Sequence, residues 1–217
     1  MKQFVVIGLG RFGSSIATTL CNLGYDVLGI DIDEEIVASL ADSITHVVQA
    51  DATDENTLKS LGVRNFDVGI VSIGNDIQAS ILATLNLKEI GMKYVLSKAL
   101  SDTHGKVLHK IGADRVVFPE RDMGTRVAHS LVASSILDYI ELSPDFSIVE
   151  IGAVQDWHDN TLGQLDIRAK YDLNVIAIKR KSAVMISPNA NERLLKGDIL
   201  VVVGQNKDIR KLEKIIE

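Results

Sequence analysis

Short apolar runs alternate with segments of helical periodicity over the first 119 residues of the chain. Nearly continuous apolar runs are typical of parallel strands that are buried on both faces, and apolar residues three or four apart are typical of helices that cover such a sheet. The pattern predicts strands at 4–7, 27–31, 46–50, 68–73, 94–98 and 115–118, and helices at 14–23, 34–41, 54–61, 76–90 and 103–111. Strands joined by helical crossovers predict an α/β fold, a Rossmann-like doubly wound parallel sheet over residues 1–120.

The periodicity changes after residue 120. Residues 121–142 carry apolar side chains at helical spacing, among them Val132, Ile136 and Ile140 at i, i+4 and i+8, and predict one long crossover helix. Its apolar surface is expected to contact either a partner subunit in a dimer or the C-terminal domain. The stretch 142–145 breaks the pattern and predicts a domain boundary. A small α+β domain over residues 143–217 is then predicted from strands at 147–154, 175–178, 184–186 and 199–203 and helices at 162–171 and 208–216.

Composition narrows the class of protein. The chain has 217 residues, 46% of them hydrophobic, which is enough for one large domain or two small ones. No apolar run approaches the roughly 20 residues of a membrane span, and the chain runs at once into a strand, so neither a transmembrane helix nor a signal peptide is expected. The single cysteine, Cys21, excludes an internal disulfide and fits a reducing cytosol. A net charge of −6 argues against binding to nucleic acid or directly to an anionic bilayer.

Three glycines follow the first predicted strand in the spacing G-x-G-x-x-G and stand at the start of the first predicted helix. In this motif Gly8 allows the chain to turn with an unusual backbone conformation, and Gly10 lets backbone N–H groups approach a diphosphate. Gly13 lets the helix pack close to the strand. The helix N-terminus adds free N–H donors and a partial positive charge. The motif therefore predicts a nucleotide-binding site, with a Rossmann-like fold that binds nothing as the alternative.

Polar residues follow nearly every predicted strand. Ligands of doubly wound sheets bind outside the carboxyl ends of the strands, so these residues are candidates for the same site. Asp31 ends the second strand, roughly 20 residues after the glycines, where an acid that binds ribose is expected. Some of the others could simply cap helices, as Thr53 or Asp76 would. The further candidates are Asp51, Ala52, Thr53, Ser72, Ile73, Gly74, Lys98 and Glu120.

Catalytic motifs are not found in the sequence. It contains no H-E-x-x-H, no Cys/His cluster with zinc spacing, and no G-x-S-x-G or Walker motif. His104 and His109 are five residues apart and share a helix face poorly, so a dehydrogenase acid–base pair is not evident. We therefore expect a chain that is not an enzyme and in which nucleotide occupancy is itself the signal. A small NAD-dependent oxidoreductase and an assembly protein that binds no nucleotide are the alternatives.

Four segments carry a resemblance to a known family. They are residues 8–13 (GLGRFG), 111–115 (IGADR), 118–123 (FPERDM) and 168–171 (RAKY). Together they resemble the RCK (KTN, TrkA-like) family of cytosolic regulators of potassium channels and transporters, over essentially the whole chain. The single N- and C-terminal unit is most similar to the KtrA/KtrC type of regulatory subunit of Ktr potassium transporters.

The resemblance implies a regulatory subunit of a bacterial potassium ion uptake system. Homodimers would assemble into a homo-octameric ring that docks on an integral membrane translocating subunit of the KtrB/KtrD type. The protein would be cytoplasmic and peripheral on the inner face of the cell membrane through that partner. ATP and ADP would favour different shapes of the ring. An NAD(H)-responsive regulator of the same architecture is the alternative, because Asp31 does not separate these ligands.

The resemblance also assigns roles to residues of the N-terminal motif and the strand ends. Arg11, next to Phe12, matches an arginine that reaches a γ-phosphate from a neighbouring subunit, and Lys98 matches a phosphate contact. Glu120 matches an acid near a divalent cation, Mg²⁺ or Ca²⁺. An arginine fork and a cation recognise a third phosphate, which favours ATP/ADP. The alternatives are a surface ion pair for Arg11 and a carboxylate stabilised by the helix dipole for Glu120. The phosphate loop would be Gly8, Gly10 and Gly13, and the adenine edge Asp51, Ala52 and Thr53.

Some relatives in this family bind cyclic di-AMP in the C-terminal domain. The resemblance implies a similar site here, with Arg168 gripping a phosphate and Asn174 beside it. An ion pair of Arg168 with Asp166 or Asp172 is the alternative. The apolar walls would be Leu162, Val175 and Pro188.

Overall fold

The structure is a computed structural model that describes residues 2–132 and 136–216. Contacts between Cα atoms divide the chain into two compact units, residues 1–120 and residues 121–217. No helix within the described residues is both long enough and apolar enough to cross a membrane.

The N-terminal unit contains one parallel sheet in the order β3-β2-β1-β4-β5-β6. Strand β1 lies at its centre, with Val5 opposite Leu28 of β2 on one side and opposite Gly69 of β4 on the other. The doubly wound parallel sheet predicted from the apolar runs is confirmed. The strands are β1 (Gln3–Ile7), β2 (Asp26–Asp31), β3 (His46–Gln49), β4 (Val68–Val71), β5 (Tyr94–Lys98) and β6 (Arg115–Val117).

Five helices connect these strands, and short polar side chains start most of them. Asp33, Asp76 and Ser101 each accept hydrogen bonds from backbone N–H groups of the first turn that follows. Asp54, not Thr53, caps the third helix, so the capping alternative is confirmed for Asp76 and wrong for Thr53. The helices are α1 (Arg11–Asn22), α2 (Glu34–Leu40), α3 (Glu55–Ser60), α4 (Ile77–Glu89) and α5 (Asp102–Lys110), with a 3-10 helix at Val63–Asn65.

The core lies on both faces of this sheet. Val5 and Ile7 of β1 join one buried cluster with residues of α3 and α4, such as Leu58 and Leu87. Val6, which points the other way, joins a second cluster that packs against α1 and α2. Full burial of such a side chain stabilises the fold by about 1.5–3 kcal/mol, which explains why the apolar runs predict strands so well.

The C-terminal unit contains an antiparallel sheet in the order β10-β9-β11-β8-β7. Its core is formed mainly by β8, β9, β11 and the final helix, as the burial of Val149, Ile178, Leu200 and Leu212 shows. The strands are β7 (Ile136–Ser143), β8 (Phe146–Gly152), β9 (Asn174–Arg180), β10 (Ala183–Ile186) and β11 (Ile199–Gln205). The helices are α6 (Pro119–Val132), α7 (Leu162–Leu165), α8 (Ile167–Tyr171) and α9 (Asn206–Ile216), with a 3-10 helix at Gln155–Trp157.

The crossover helix predicted for residues 121–142 is wrong in its second half. Helix α6 ends at Val132, and β7 follows in an antiparallel hairpin with β8, with Tyr139 opposite Val149. Apolar residues four apart in a run of mixed polarity also fit a strand, and the pairing with β8 supplies backbone hydrogen bonds that a free helix end lacks. Residues 133–135 of the predicted helix, and the side chains of Val132 and Ile136, lie outside the described part of the chain.

The predicted boundary at residues 142–145 is the turn of this hairpin. The N–H of Asp145 donates to Oγ of Ser143 at 3.4 Å, and the compact C-terminal unit begins about 20 residues earlier, at Arg121. The turn residues Ser, Pro and Asp are as typical of a hairpin as of a linker. The helix predicted at 162–171 is also two helices, because Asp166 adopts a left-handed conformation with φ 46° between them.

Candidate functional site

The glycine loop after β1 has the backbone geometry that the motif predicts. Gly8 has φ +85°, and a Cβ at this position would lie 2.9 Å from the backbone nitrogen of Ile73. A Cβ on Gly13 would lie 1.9 Å from the carbonyl oxygen of Gly8, so α1 can approach β1 only with glycine there. A Cβ on Gly10 would meet no atom within 4 Å. The loop is therefore packed on its inner side and open on the side from which a phosphate would approach.

Neighbouring strands hold the loop in place. The N–H of Gly8 donates to the carbonyl of Ile30 at 2.8 Å, and the N–H of Ser72 donates to the carbonyl of Ile7 at 2.8 Å. The hydroxyl of Ser72 donates to the carbonyl of Gly8. Ser72 is buried and turned toward the loop, so its place in the site is that of a support, beside Ile73, which packs on the core, and Gly74.

Asp31 ends β2 next to the same loop. Its Oδ2 accepts a hydrogen bond from the N–H of Leu9 at 2.5 Å, and its Oδ1 accepts one from the N–H of Asp33 at 3.0 Å. The carboxylate therefore stands beside the second residue of the glycine loop, at the position where a ribose hydroxyl is bound in dinucleotide folds. Each oxygen keeps a further lone pair for a ligand.

The loop of Asp51, Ala52 and Thr53 is tied down from two sides. Oδ1 of Asp51 accepts hydrogen bonds from the N–H and the hydroxyl of Thr53, at 2.8 and 2.7 Å. The side-chain amide of Asn86, a buried residue of α4, donates to the carbonyls of Ala52 and Thr53 at 3.1 and 2.9 Å. Asn86 is absent from the residues predicted from the sequence. An asparagine in the apolar stretch Leu-Ala-Thr-Leu-Asn-Leu is a signal that could have identified it, because a buried amide needs partners.

Lys98 and Glu120 form an ion pair at the end of β5. Nζ of Lys98 donates to Oε1 of Glu120 at 2.5 Å, with the lysine side chain 9% exposed and the glutamate side chain 66% exposed. The ammonium lies 5.9 Å from the centre of the Phe12 ring and 3.2 Å from where a Cβ on Gly74 would stand. The hydrogen bond from Lys98 holds the pKa of Glu120 below its ordinary value.

Arg11 stands at the start of α1 on the same edge of the sheet. Its side chain is exposed, and its charge also acts to lower the pKa of Glu120. The structure therefore brings together Arg11, Phe12, Gly74, Lys98 and Glu120, which come from four different segments of the sequence. Two cationic groups and one carboxylate beside an open glycine loop suit the polyphosphate end of a nucleotide.

Glu120 is the residue predicted to lie near a divalent cation, and it is a single carboxylate. No group of three or more His, Cys, Asp or Glu side chains within the described residues is arranged to hold a metal ion. Hard cations such as Mg²⁺ and Ca²⁺ take about six to eight oxygen ligands, of which Glu120 supplies one carboxylate. The donor type fits such a cation, and the remaining ligands would have to be phosphate or water oxygens.

The residues expected to bind cyclic di-AMP are spread over the C-terminal unit. Arg168 of α8 and Asn174 of β9 are exposed, and Asn174 lines a surface cavity of about 460 Å³. Leu162 and Val175 pack partly buried against the core, and Pro188 follows β10 half-buried. No hydrogen bond or ion pair joins these five residues, all of which the structure describes, to one another. Arg168 likewise forms no ion pair with Asp166 or Asp172, two described neighbours, so that alternative is not supported.

Comparison with known proteins matches both units. The TrkA-N domain family matches residues 4–119 and the TrkA-C domain family matches residues 146–217. The chain is 53% identical to Ktr system potassium uptake protein C of Bacillus subtilis (strain 168), over 98% of this chain and 96% of that protein. It is 47% identical to Ktr system potassium uptake protein A of the same organism, over 98% and 96%.

Solved structures share the fold. The GsuK channel superposes with a TM-score of 0.73 and 18% identity over 99% of this chain, which spans 39% of the channel chain. A GsuK structure bound to ADP superposes with a TM-score of 0.52 and 27% identity, over 61% of this chain and 34% of that one.

Proposed function

This chain belongs to the family of TrkA-N and TrkA-C (RCK) proteins, in the branch of the Ktr potassium uptake regulatory subunits, and from that premise we propose its function. It is the cytoplasmic gating subunit of a potassium uptake system. ATP or ADP binds in the N-terminal unit, and the difference between them switches a homo-octameric ring. The ring controls an integral membrane translocating subunit of the KtrB/KtrD type, through which the protein is peripheral on the inner face of the membrane.

The observation that carries the proposal is the charge around the glycine loop. A diphosphate bridge needs only the loop and the helix N-terminus. The N-terminal unit adds Arg11 and the nearly buried ammonium of Lys98, and it places Glu120 beside them. Two further cations suit a ligand with more charge than NAD presents, so the geometry favours ATP and ADP. A bound ligand shifts the ring only by its difference in affinity for the two shapes, and the γ-phosphate supplies that difference.

Glu120 is the proposed contact for Mg²⁺ or Ca²⁺. As a single carboxylate it serves as one ligand of a cation that phosphate oxygens also hold. Such a cation would neutralise phosphate charge, while the chain's own residues position the nucleotide. In this proposal Lys98 contacts the phosphates, Asp31 the ribose, and the loop of Asp51 to Thr53 the adenine edge. Arg11 reaches the γ-phosphate of the nucleotide bound in a neighbouring subunit of the ring.

An exposed stripe on α6 supports the proposed homodimer. Met123, Val127 and Leu131 are 52%, 46% and 78% exposed, at i, i+4 and i+8 on the helix. Among the described residues these side chains keep about half or more of their surface exposed, which supports a partner subunit over the C-terminal domain as the contact of this face. An apolar stripe of this kind is typical of a helix that contacts a partner subunit. We assign it to contacts within the ring.

Cyclic di-AMP is proposed as a second ligand, in the C-terminal unit. The supporting observation is that the exposed guanidinium of Arg168 forms no ion pair with Asp166 or Asp172, two residues that the structure describes. Arginine binds phosphate with a two-pronged fork, and Asn174 adds an amide on the following strand. Arg168→Ala is expected to abolish binding in a calorimetric titration with cyclic di-AMP, with Lys170→Ala on the same short helix as the control.

The regulatory function agrees with the names of two relatives reported above, which are Ktr system potassium uptake proteins. The nucleotide proposal is tested by calorimetric titration of the nucleotide-stripped protein with ATP, ADP and NADH, with and without Mg²⁺. ATP and ADP are expected to bind. Arg11→Ala is expected to weaken the binding of ATP by roughly tenfold and to change the binding of ADP little. Tighter binding of NADH, unaffected by Arg11, would replace this proposal with an NAD(H)-responsive regulator.

A further inference from the structure

The Lys98–Glu120 ion pair has two unequal partners. The side chain of Lys98 is 9% exposed and that of Glu120 is 66% exposed. A buried ammonium is costly without an anion, whereas an exposed carboxylate is well solvated alone. Within the described residues, Glu120 is the carboxylate that Lys98 contacts. The lysine therefore needs an anion at this place, and the glutamate does not need the lysine.

The same ammonium lies close to other residues of the candidate nucleotide site. It lies beside Phe12, which follows Arg11 in the motif, and against Gly74 of the loop after β4. Glu120 accepts a hydrogen bond from this ammonium, so a phosphate that reaches Lys98 would meet the glutamate carboxylate at the same donor group. Two anions next to one ammonium repel each other, and a phosphate carries more charge than a carboxylate.

We propose that Glu120 is an internal competitor for phosphate: in the nucleotide-free protein its carboxylate occupies the phosphate position at Lys98, and nucleotide binding displaces it. The released carboxylate is then the oxygen ligand available to a divalent cation. Nucleotide and cation binding are thus coupled through one exchange, in which Lys98 passes from carboxylate to phosphate and Glu120 passes from ammonium to cation. This inference rests on the proposed nucleotide function and adds its regulation.

The exchange makes an opposite prediction for the two conditions of one titration. Without divalent cations, Glu120→Gln is expected to bind ADP on the order of three- to tenfold tighter than the wild type, because a neutral amide competes weakly with phosphate for Lys98. With Mg²⁺ the wild type gains affinity and the variant does not. A residue that only holds the cation would leave the affinity in EDTA unchanged.

The experiment is a calorimetric titration of the full chain with ADP, in EDTA and in Mg²⁺. Glu89→Gln is the matched control, since it removes the same charge from an exposed residue at the far end of α4. Glu120 is largely exposed, so the variant is expected to fold, and its melting curve checks this. Lys98→Gln is expected to weaken the binding of ADP in both buffers.

Unchanged or weaker ADP binding by Glu120→Gln in EDTA overturns the exchange. If Arg11→Ala still discriminates ATP from ADP in that case, the proposed nucleotide function stands without it. A wild type that binds neither ATP nor ADP in either buffer overturns both. Equal tightening by Glu89→Gln also overturns the exchange, because the effect would then come from net charge.

Discussion

Each unit of the chain contains a charged pair that connects the end of a strand to a later segment, and the two pairs differ in how they are satisfied. In the C-terminal unit, Arg180 donates two hydrogen bonds to Asp198, at 2.9 and 2.7 Å, and one to Glu192 at 3.2 Å. The Asp198 side chain is 1% exposed. In the N-terminal unit, Lys98 donates to one oxygen of Glu120, whose side chain faces solvent. The first pair has the geometry of a structural ion pair, and the second is the pair for which we propose an exchange of anion.

The pKa of each acid follows from this difference. Burial raises the pKa of Asp198, but the hydrogen bonds from Arg180 and from the N–H of Leu195 outweigh it and hold the pKa below its ordinary value. The pKa of Glu120 is lowered mainly by one hydrogen bond from Lys98. Both acids are charged at neutral pH, so the pKa alone does not separate a structural pair from an exchangeable one. The number of bonds and the exposure of the acid do.

The largest effect is expected when the permanent pair is broken. Asp198→Asn leaves Arg180 and the N–H of Leu195 without their carboxylate, and we expect a loss of about 2–4 kcal/mol in the free energy of unfolding. Urea denaturation of the full chain followed by circular dichroism measures it. Asp156→Asn, at an exposed position of the same unit, is expected to change it by less than about 0.5 kcal/mol. If Asp198→Asn also lost less than about 0.5 kcal/mol, the Arg180–Asp198 pair would not be structural.

A smaller effect is expected when the pH is lowered, which removes the contribution of the Asp198 carboxylate to stability. Because the pKa of Asp198 is lower in the folded protein than in the unfolded chain, its contribution is full above about pH 4 and is lost as the pH falls through the folded value. The difference in melting temperature between the wild type and Asp198→Asn should therefore narrow from pH 7 to pH 3. A difference that stays constant or widens would show that the carboxylate charge does not stabilise the fold.

The smallest effect is expected at the exchangeable pair. Glu120→Gln should lower the free energy of unfolding by about 1 kcal/mol, which is less than the loss for Asp198→Asn. The nearly buried ammonium of Lys98 loses its anion, but an amide oxygen still accepts its hydrogen bond and the side chain of Glu120 is exposed. The same urea denaturation measures it. A loss as large as that of Asp198→Asn would erase the distinction drawn between the two units.

The sequence predicted the N-terminal unit far better than the segment after it. Apolar runs such as Val68–Val71 have one reading, a buried parallel strand, and the strand ends then place the candidate residues on one edge. The segment from Ile136 to Ser143 has two possible interpretations, because its apolar residues fit both a helix and a strand. Pairing with β8 decides between them, and that contact is not visible in local spacing.

The candidate site shows the same limit at the level of single side chains. Asp31, Lys98 and Glu120 could be predicted from their places after strands, but not that the last two bind each other. Asn86 was missed because it supports the loop from α4, away from any strand end. Residue type and order along the chain show which groups can meet, and packing decides which of them do.

Asn86 also has a thermodynamic consequence. Its two hydrogen bonds to the carbonyls of Ala52 and Thr53 order that loop before any ligand arrives. Binding of an adenine at this loop would therefore cost little conformational entropy, because the loop is already ordered. Under the proposed function, the base would therefore contact a preformed loop, while the phosphates would bind at Lys98 only after it releases Glu120. In the proposed site, adenine contacts would then set the affinity that nucleotides share, and the phosphate edge would set the difference in affinity between them.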